Sequence, residues 1–424
     1  MEIWLIFVIW LLLIFLNMPI GFSLIIAGFM YFVTNDWSIV YAAGANLIGG
    51  IDSFTLLAVP FFILTGALMN SSGITTSIFG FSRSLVGHVR GGIGHVNILA
   101  SLIFAGKSGS ALADAGGLGQ LEIKSMREAG YDDDVNGGLT ASSAILSGII
   151  PPSLNLIIYA AIANVSVAQM FAAGIVPGLM VAMSLFITTY FIAKKRNYPI
   201  EAKAPFKKVV TDFGKSFWAL LTPVIVIGGI LSGFFTPTEA AVVSTCYALF
   251  LGFVVYKQLT LPKVYENLVY SLKLSGVVVL MMMGVEFFGQ FIARERIPTI
   301  VAEFFLGVTE NPILLLILIS LLLLILGTFI EALALLVLVV PVLVPVILNA
   351  GIDPVFFGVF VILNLMIGIL TPPMGMALFV VARVGEIPMG TMYRGVVPFI
   401  LPFLIILLLV IFFPQIITFI PSIM

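Results

Sequence analysis

Apolar residues fill one long segment of this chain after another, and polar residues gather in short stretches between them. Several of the apolar segments approach the roughly 20 residues that a membrane-spanning helix needs. The period-two alternation that is typical of membrane β-strands does not occur. Because lipid offers no partner to an unpaired backbone group, helices are the remaining way to span the membrane. The pattern therefore predicts an all-α polytopic membrane protein with about ten spans and two re-entrant helical hairpins.

The composition agrees with this pattern. Hydrophobic residues make up 61% of the chain, charged residues make up 9%, and the mean hydropathy is +1.22, whereas a soluble domain carries about 25% charged residues. The net charge of −1 argues against a nucleic-acid partner. The single cysteine, Cys246, excludes an internal disulfide, and we expect it to be a buried, unreactive thiol.

A second pattern is a repeat within the chain, in which residue i often matches residue i+221. Gly106 pairs with Gly327, and the doublet Pro151-Pro152 pairs with Pro372-Pro373. Over the 72 positions from 106 to 177, 14 residues are identical to their partners, against about 6 expected by chance in so apolar a chain. Many matches fall on residue types that set the backbone shape, so we predict two structurally similar halves.

Basic residues predict that the two halves face opposite ways, because cytoplasmic loops are enriched in Lys and Arg. The segment 194–215 carries seven of them and is predicted to be a cytoplasmic loop. Counting back two spans places the loop with Lys124 and Arg127 inside as well, yet its repeat partner around 345–355 has no basic residue. This exchange of sides is the mark of an inverted-topology repeat. It also puts both termini on the outer side.

The apolar segments are interrupted at four places. The interruptions at 106–110 and 327–331 leave half-segments too short to span, which predicts two re-entrant hairpins with their tips there. Those at 147–153 and 368–375 contain the proline doublets and predict helices broken within the membrane. Backbone groups freed at such breaks need protein, water or an ion as a partner.

These breaks have the chemistry of a binding site. Unwound carbonyls and Ser/Thr hydroxyls are hard oxygen ligands suited to Na⁺, and the N-termini of half-helices attract an anionic substrate. Four paired breaks therefore predict two similar cation sites beside one substrate site. Lys107, Asp114 and Glu331 lie in or beside the hairpin tips, where ionisable groups are costly and usually functional. Ser110 and Glu331 occupy matching repeat positions.

Motifs for enzymatic chemistry are absent from the sequence. Gly106-Lys107-Ser108 resembles the end of a phosphate-binding loop, but Ser101 stands where that motif needs Gly. There is no Cys/His cluster and no Gly-x-Ser-x-Gly motif. We expect a secondary transporter driven by an ion gradient, with no cofactor and no transition metal, rather than an enzyme.

Four stretches at the breaks form a specific set of motifs: Gly106-Lys107-Ser108-Gly109-Ser110-Ala111-Leu112-Ala113-Asp114-Ala115-Gly116-Gly117, Ala129-Gly130-Tyr131-Asp132, Ile150-Pro151-Pro152-Ser153 and Leu370-Thr371-Pro372-Pro373-Met374-Gly375. With them, the chain resembles the large membrane subunit of tripartite ATP-independent periplasmic (TRAP) transporters over essentially its whole length. Within that family it looks most like the sialic acid branch, through 110–131 and 368–383.

The resemblance implies Na⁺-coupled import by an elevator mechanism, in the inner membrane of a bacterium. The outer side, where the basic residues place both termini, would then be the periplasm. The resemblance implies two partners, which are a small four-helix membrane subunit on a separate chain and a periplasmic substrate-binding protein. We predict a scaffold from 1–90 and 216–310, a mobile transport domain from 91–193 and 311–424, and the cytoplasmic loop 194–215 between the halves.

The resemblance also implies site residues. Those implied for Na⁺ are Ser108, Gly109, Ser110, Gly148, Pro151, Pro152, Gly327, Gly368, Thr371, Pro373 and Met374. Those implied for the substrate are Ser108, Ser110, Asp114, Ser153 and Glu331. Lys107 would attract the substrate carboxylate if it lines the site.

The residues leave other functions open. The first is a TRAP importer of a C4-dicarboxylate or another organic acid. A more remote alternative is an intramembrane enzyme that uses Asp114 with Glu331, and a further one is a passive channel.

Overall fold

The computed structural model describes residues 3–16, 18–35, 47–48, 54–309 and 311–424, apart from the side chains of Phe15, Lys107, Ser108 and Leu306. Every regular element within these ranges is a helix, and the described residues contain no strand. The predicted all-α class is therefore confirmed.

The described residues of the first half of the chain form a series of helices. They are α1 (Ile3–Phe15), α2 (Ile20–Asn35), α3 (Ala58–Ser71), α4 (Ile74–Val86), α5 (Gly92–Ser108), α6 (Ala111–Gly117), α7 (Gly119–Glu128), α8 (Asp133–Ala144), α9 (Leu146–Ile149), α10 (Leu154–Ala163) and α11 (Val167–Arg196).

The second half continues in the same way. Its helices are α12 (Phe206–Leu231), α13 (Pro237–Phe250), α14 (Leu261–Arg294), α15 (Ile297–Val308), α16 (Pro312–Gly327), α17 (Ala332–Asn349), α18 (Pro354–Gly368), α19 (Met376–Gly385), α20 (Met389–Phe412) and α21 (Gln415–Thr418).

Within the described ranges, six helices are long and apolar enough to cross a membrane, or up to eight if each of two bent pairs counts as one span. The remaining apolar helices have 10–17 residues. Such lengths are typical of half-spans on either side of a break.

Helix bounds recur with the offset seen in the sequence. The pair α6 and α7 begins at Ala111 and ends at Glu128, whereas α17 begins at Ala332 and ends at Asn349. The helices that follow, α8 and α18, begin at Asp133 and Pro354. These starts and ends are 221 residues apart, as two similar halves require. The opposite orientation of the halves stays a prediction.

The helices α2 and α14, both in the predicted scaffold, pack closely. A Cβ on Gly21 would lie 2.7 Å from the carbonyl oxygen of Leu280, so the small residue allows the backbones to approach. Farther along, the rings of Phe32 and Phe287 meet edge to face with centroids 5.3 Å apart. These contacts hold the two helices as one unit.

Buried polar pairs join the helices of the predicted transport domain. Asn97 on α5 accepts a hydrogen bond from the Ser143 hydroxyl on α8 at 2.6 Å. In the second half, Asn364 on α18 accepts one from Ser320 on α16 at 2.5 Å. Ser143 and Asn364 are 221 residues apart, and their partners Asn97 and Ser320 are 223 apart. Each half therefore ties its broken helix to its hairpin by a polar pair in nearly the same place.

Two features of the structure differ from the sequence-based expectations. Cys246 is exposed on α13, so the expectation of a buried thiol is wrong. An outward-facing side of a membrane helix accepts a small apolar thiol as readily as the core does. The predicted loop 194–215 is shorter in the structure, since α11 continues to Arg196 and α12 starts at Phe206, which leaves 197–205 as the connection. Long basic side chains can extend from helix ends into the interface, so part of the basic segment is helical.

Candidate functional site

The two hairpin tips begin their inner helices in the same way. The Ser110 hydroxyl caps α6 by accepting a hydrogen bond from the Ala113 N–H at 3.4 Å. The Glu331 carboxylate caps α17 by accepting one from the Ala334 N–H at 3.1 Å. A side-chain oxygen at this position satisfies one of the unpaired N–H groups of the first turn. The matching repeat positions therefore share one structural role with different charge.

Each tip is hydrogen-bonded to the helix break of its own half. The Leu154 N–H donates to the Gly109 carbonyl at 3.1 Å, and the Gly375 N–H donates to the Thr328 carbonyl at 3.1 Å. Gly109 has a φ of +63°, and a Cβ there would lie 2.9 Å from the Pro152 carbonyl oxygen. The first tip thus needs glycine both for its backbone angle and for its contact with the break.

In the second half, the break and the hairpin touch through two glycines. A Cβ on Gly368 would lie 2.8 Å from the Gly327 Cα, so the two backbones approach without side chains between them. The Thr371 hydroxyl donates back to the Ile367 carbonyl at 2.8 Å. The predicted residues Gly327, Gly368 and Thr371 therefore lie together. Met374, by contrast, is 46% exposed.

In the first half, the proline doublet frees backbone carbonyls. Neither Pro151 nor Pro152 has an N–H, so the carbonyls of Ser147 and Gly148 have no donor four residues ahead. The Gly148 carbonyl accepts instead from the Ser153 hydroxyl at 2.7 Å. The Asn155 amide nitrogen also donates to this oxygen, at 3.5 Å. These neutral carbonyl oxygens are hard ligands.

A small gap lies where the two hairpins meet. Its volume is about 20 Å³, which is enough for one water molecule. Ser110 and Glu331 both line it. The other lining residues are Gly109, Ala111, Leu112, Leu154, Asn155, Ala332, Leu333, Met366 and Ile369. The gap is therefore enclosed by the tips and broken helices of both halves.

Two larger cavities open beside the first tip. The first cavity has about 450 Å³ and lies between the first hairpin and helices α3 and α14. The second cavity has about 570 Å³, reaches Glu331, and is bounded by α2 and α14. Both are lined by Ser110, Leu112, Ala113, Leu154, Tyr270 and Leu274. Their volumes are those of small-molecule sites, at about 300–1,000 Å³.

The walls of the two cavities carry little charge. Among the described residues that line them, Glu331 has the one carboxylate, and none of these residues is Lys or Arg. In the described parts of the chain no three His, Cys, Asp or Glu residues are grouped as metal ligands would be. The polar part of the site therefore consists mainly of backbone groups, hydroxyls and amides.

Two of the predicted substrate residues lie away from the cavities. Asp114 is 3% exposed and accepts a hydrogen bond from Ser147. Ser153 is fully buried against Gly148. The side chains of Lys107 and Ser108 lie outside the described residues.

Other polar residues on these walls were not predicted. They are Asn155 after the first proline doublet, Asn70 and Ser71 at the end of α3, and Asn267 and Tyr270 on α14. A signal for Asn155 was present, since it is an amide within an apolar run directly after the break. For the residues of α3 and α14 the sequence offers no such signal.

Comparison with known families identifies the architecture. Residues 7–416 match the family described as "Tripartite ATP-independent periplasmic transporter, DctM component". The chain belongs to this DctM family of TRAP large permeases. It is a multi-pass membrane protein of a transporter family.

Relatives within the DctM family match along the whole chain. The chain is 57% identical over 407 residues to the "Sialic acid TRAP transporter large permease protein SiaM" of Vibrio cholerae, covering 96% of this chain and 95% of that one. It is 52% identical over 423 residues to the "Sialic acid TRAP transporter permease protein SiaT" of Haemophilus influenzae, covering 100% and 69%. It is 37% identical to the "2,3-diketo-L-gulonate TRAP transporter large permease protein YiaN" of Escherichia coli, with 95% of each covered.

Solved structures share the fold of this DctM protein at low sequence identity. The YdaH transporter of Alcanivorax borkumensis superposes with a TM-score of 0.65 at 15% identity, covering 89% of each chain. MtrF of Neisseria gonorrhoeae superposes with a TM-score of 0.57 at 14% identity, covering 90% of this chain and 85% of that one. Both are membrane transport proteins by description, so the helical arrangement is one that transporters use.

Proposed function

We propose that this chain is the large permease subunit of a Na⁺-coupled TRAP system that imports sialic acid. The observation that carries the proposal is the pair of matching hairpin tips, capped by Ser110 and Glu331, on the wall of one 570 Å³ cavity. The identities of 57% and 52% to the two sialic acid permeases support the substrate.

The site suits a solute with one anionic end and many hydroxyls. Helix α10 begins at the cavities with Leu154, and α17 begins there after Glu331. The positive end of α10 favours a carboxylate, whereas that of α17 is already capped by the Glu331 carboxylate. Glu331 itself would repel a carboxylate but accepts hydrogen bonds from hydroxyl or amide donors. Sialic acid carries a carboxylate, hydroxyl groups and an amide.

Na⁺ fits the donors around the two breaks. Backbone carbonyls near Gly148 and Gly368 and the hydroxyls of Ser110 and Thr371 are neutral hard oxygens. These residues would hold the ion in each half. When bound, Na⁺ supplies positive charge beside a cavity whose described lining residues include Glu331 but no Lys or Arg.

We place the protein in a bacterial inner membrane with both termini periplasmic, on the basic residues of 194–215. In that orientation the first cavity lies on the cytoplasmic side, because the end of α3 and the early turns of α14 line it. The residues 1–90 and 216–310 serve as the scaffold, and the hairpin-bearing remainder moves against it. A small four-helix subunit and a periplasmic binding protein complete the system.

The test is uptake of labelled sialic acid into proteoliposomes that hold this chain with its small partner. We expect uptake to require both the binding protein and an inward Na⁺ gradient, with K⁺ in its place giving none. Ser110→Ala and Glu331→Ala should each reduce it. Unchanged uptake in both variants would show that the proposed site is wrong. Na⁺-driven uptake of a dicarboxylate instead of sialic acid would show that the proposed substrate is wrong.

A further inference from the structure

The first cavity has two walls that differ in chemistry. One wall belongs to the first hairpin, with Ser110 and Gly117 at its ends. The other belongs to α3 and α14, which lie in the predicted scaffold. This second wall carries four neutral polar side chains, which are Asn70, Ser71, Asn267 and Tyr270. We call these four residues the amide wall.

Part of the amide wall is held in place by its own hydrogen bonds. The Asn267 amide nitrogen donates to the Ser71 hydroxyl at 2.9 Å and to the Lys263 carbonyl at 2.8 Å. The contact joins α3 to α14, so the Ser71 and Asn267 part of the wall is held in place, and it fixes the spacing of the two helices that carry Asn70 and Tyr270. A cavity wall whose helices are held in place binds a ligand with less ordering cost.

The rest of the wall has hydrogen-bonding capacity to spare. Within the described ranges, neither the Asn70 amide nor the Tyr270 hydroxyl has a protein hydrogen-bond partner, although both line the cavity. Asn70 also reaches the opposite wall, because its amide nitrogen lies 3.5 Å from where a Cβ of Gly117 would be. A ligand in the first cavity would therefore meet donors and acceptors on its scaffold side.

The described lining residues of the first cavity are uncharged, and this affects which part of a ligand the amide wall can bind. The described residues that line the first cavity include no Asp, Glu, Lys or Arg, whereas the second cavity has Glu331. Neutral side chains offer no counter-charge to a carboxylate, whereas hydroxyl groups pair with amides and hydroxyls as donor and acceptor at once.

We infer that the amide wall, through Asn70 and Tyr270, binds hydroxyl groups of the substrate's polyol side chain rather than its carboxylate. This rests on the proposed function, in which the substrate is sialic acid and the side chain is its three-hydroxyl glycerol chain. The wall is then a specificity-determining surface on the scaffold. Small organic acids that lack such a chain leave it unused.

The experiment compares two ligands on the full chain with its small partner in lipid nanodiscs with Na⁺. One ligand is sialic acid, and the other is its analogue with the glycerol chain shortened to one carbon. Equilibrium binding is measured for the wild type, Tyr270→Phe and Asn70→Ala. Tyr265→Phe is the matched control, because Tyr265 lies on the same helix, is 67% exposed and is not among the residues that line the cavity.

We expect Tyr270→Phe and Asn70→Ala each to raise the Kd of sialic acid by about 3- to 10-fold, as the loss of one hydrogen bond does. The Kd of the shortened analogue should stay unchanged, and Tyr265→Phe should bind both ligands as the wild type does. Unchanged Kd values for sialic acid in both cavity variants would overturn the inference. So would an equal rise for the two ligands, because the glycerol chain would then not be the group that is bound.

The same binding experiment distinguishes a failure of the proposed function from a failure of this inference. If the wild type binds no sialic acid but binds a dicarboxylate in the same nanodiscs, the proposed substrate is wrong and the inference falls with it. If the wild type binds sialic acid and the variants match it, the inference alone is wrong.

Discussion

The backbone N–H of Leu154 donates to the carbonyl of Gly109, so the first half-helix after the proline doublet is bound directly to the tip of the first hairpin. The second half repeats this bond between Gly375 and Thr328. Breaking either one would leave a backbone donor unpaired away from water. We therefore expect each tip and its helix break to move as one body during transport.

The first prediction concerns Gly109. Gly109→Ala places a Cβ 2.9 Å from the Pro152 carbonyl oxygen and 3.0 Å from the Leu154 nitrogen. We expect at least a tenfold loss of Na⁺-driven uptake, since a strain of about 1.4 kcal/mol on the competent state already corresponds to a factor of ten. Initial rates in proteoliposomes, normalised to folded protein, measure it.

The matched control for Gly109 is Gly130→Ala. Gly130 also has a positive φ, +80°, but a Cβ there has nothing within 4 Å. Both variants bear the left-handed backbone cost of about 1–2 kcal/mol, so the difference between them isolates the contact with the break. Equal uptake by the two variants would contradict the prediction.

The second prediction separates the charge of Glu331 from its capping role. Glu331→Gln keeps an oxygen that can accept from the Ala334 N–H, so the thermal midpoint should stay near that of the wild type. The KM for sialic acid should rise by about tenfold or more, because hydrogen bonds to a charged group are worth about 1.5–3 kcal/mol.

Glu331→Ala should add a loss of stability of about 1 kcal/mol, which is typical of a removed N-cap. Asp353→Asn is the control, because Asp353 caps α18 at the Phe356 N–H and does not line the cavities. An unchanged KM in Glu331→Gln would mean that the carboxylate does not meet the substrate.

The third prediction concerns the glycine contact of the second half. Gly368→Ala puts a Cβ 2.8 Å from the Gly327 Cα, and backbone atoms cannot move aside as a flexible side chain can. We expect a lower thermal midpoint and a raised Na⁺ concentration for half-maximal uptake. Gly289→Ala is the control, since nothing lies within 4 Å of its Cβ. A normal Na⁺ dependence in a folded Gly368→Ala protein would argue against a Na⁺ site at this break.

The helix breaks were predictable because their signals are local. The proline doublets remove donors wherever they occur, and the Gly/Ser run at 106–110 divides an apolar segment into halves too short to span. The repeat helped further, since Glu331 stood out both as an intramembrane charge and through its match with Ser110. Composition and hydropathy alone required the helical membrane class.

The cavity walls were not predictable because they depend on which helices touch. Ser71 and Asn267 are hydrogen-bonded although they are 196 residues apart in the sequence. The pattern of apolar residues does not show which helices pair in this way. Asp114 shows a related limit. An intramembrane carboxylate predicts function, and the structure buries this one beside Ser147 and away from the cavity walls, so its role in binding stays a prediction.

The last prediction is a pH dependence at the membrane surface. Asp132, between α7 and α8, accepts hydrogen bonds from Arg196 at 2.7 Å and from the Tyr198 hydroxyl at 2.8 Å. The Arg196 guanidinium first, and then Tyr198, lowers the pKa of this carboxyl below its usual 3.8. A carboxyl whose pKa is lower in the folded state stabilises the fold above the unfolded pKa, and this contribution is lost as the pH falls through the folded value.

Asp132→Asn should therefore lower the thermal midpoint of the purified complex at pH 7, and the difference from the wild type should shrink as the pH falls below 3.8. The Asp132 side chain is 59% exposed, so the effect should be only about 1–2 °C, as expected for a screened surface pair. Asp212→Asn, which removes a carboxylate with no ion pair among the described residues, should change nothing. A difference that grows toward low pH would have the opposite sign and would mean that Asp132 is stabilised in its protonated form.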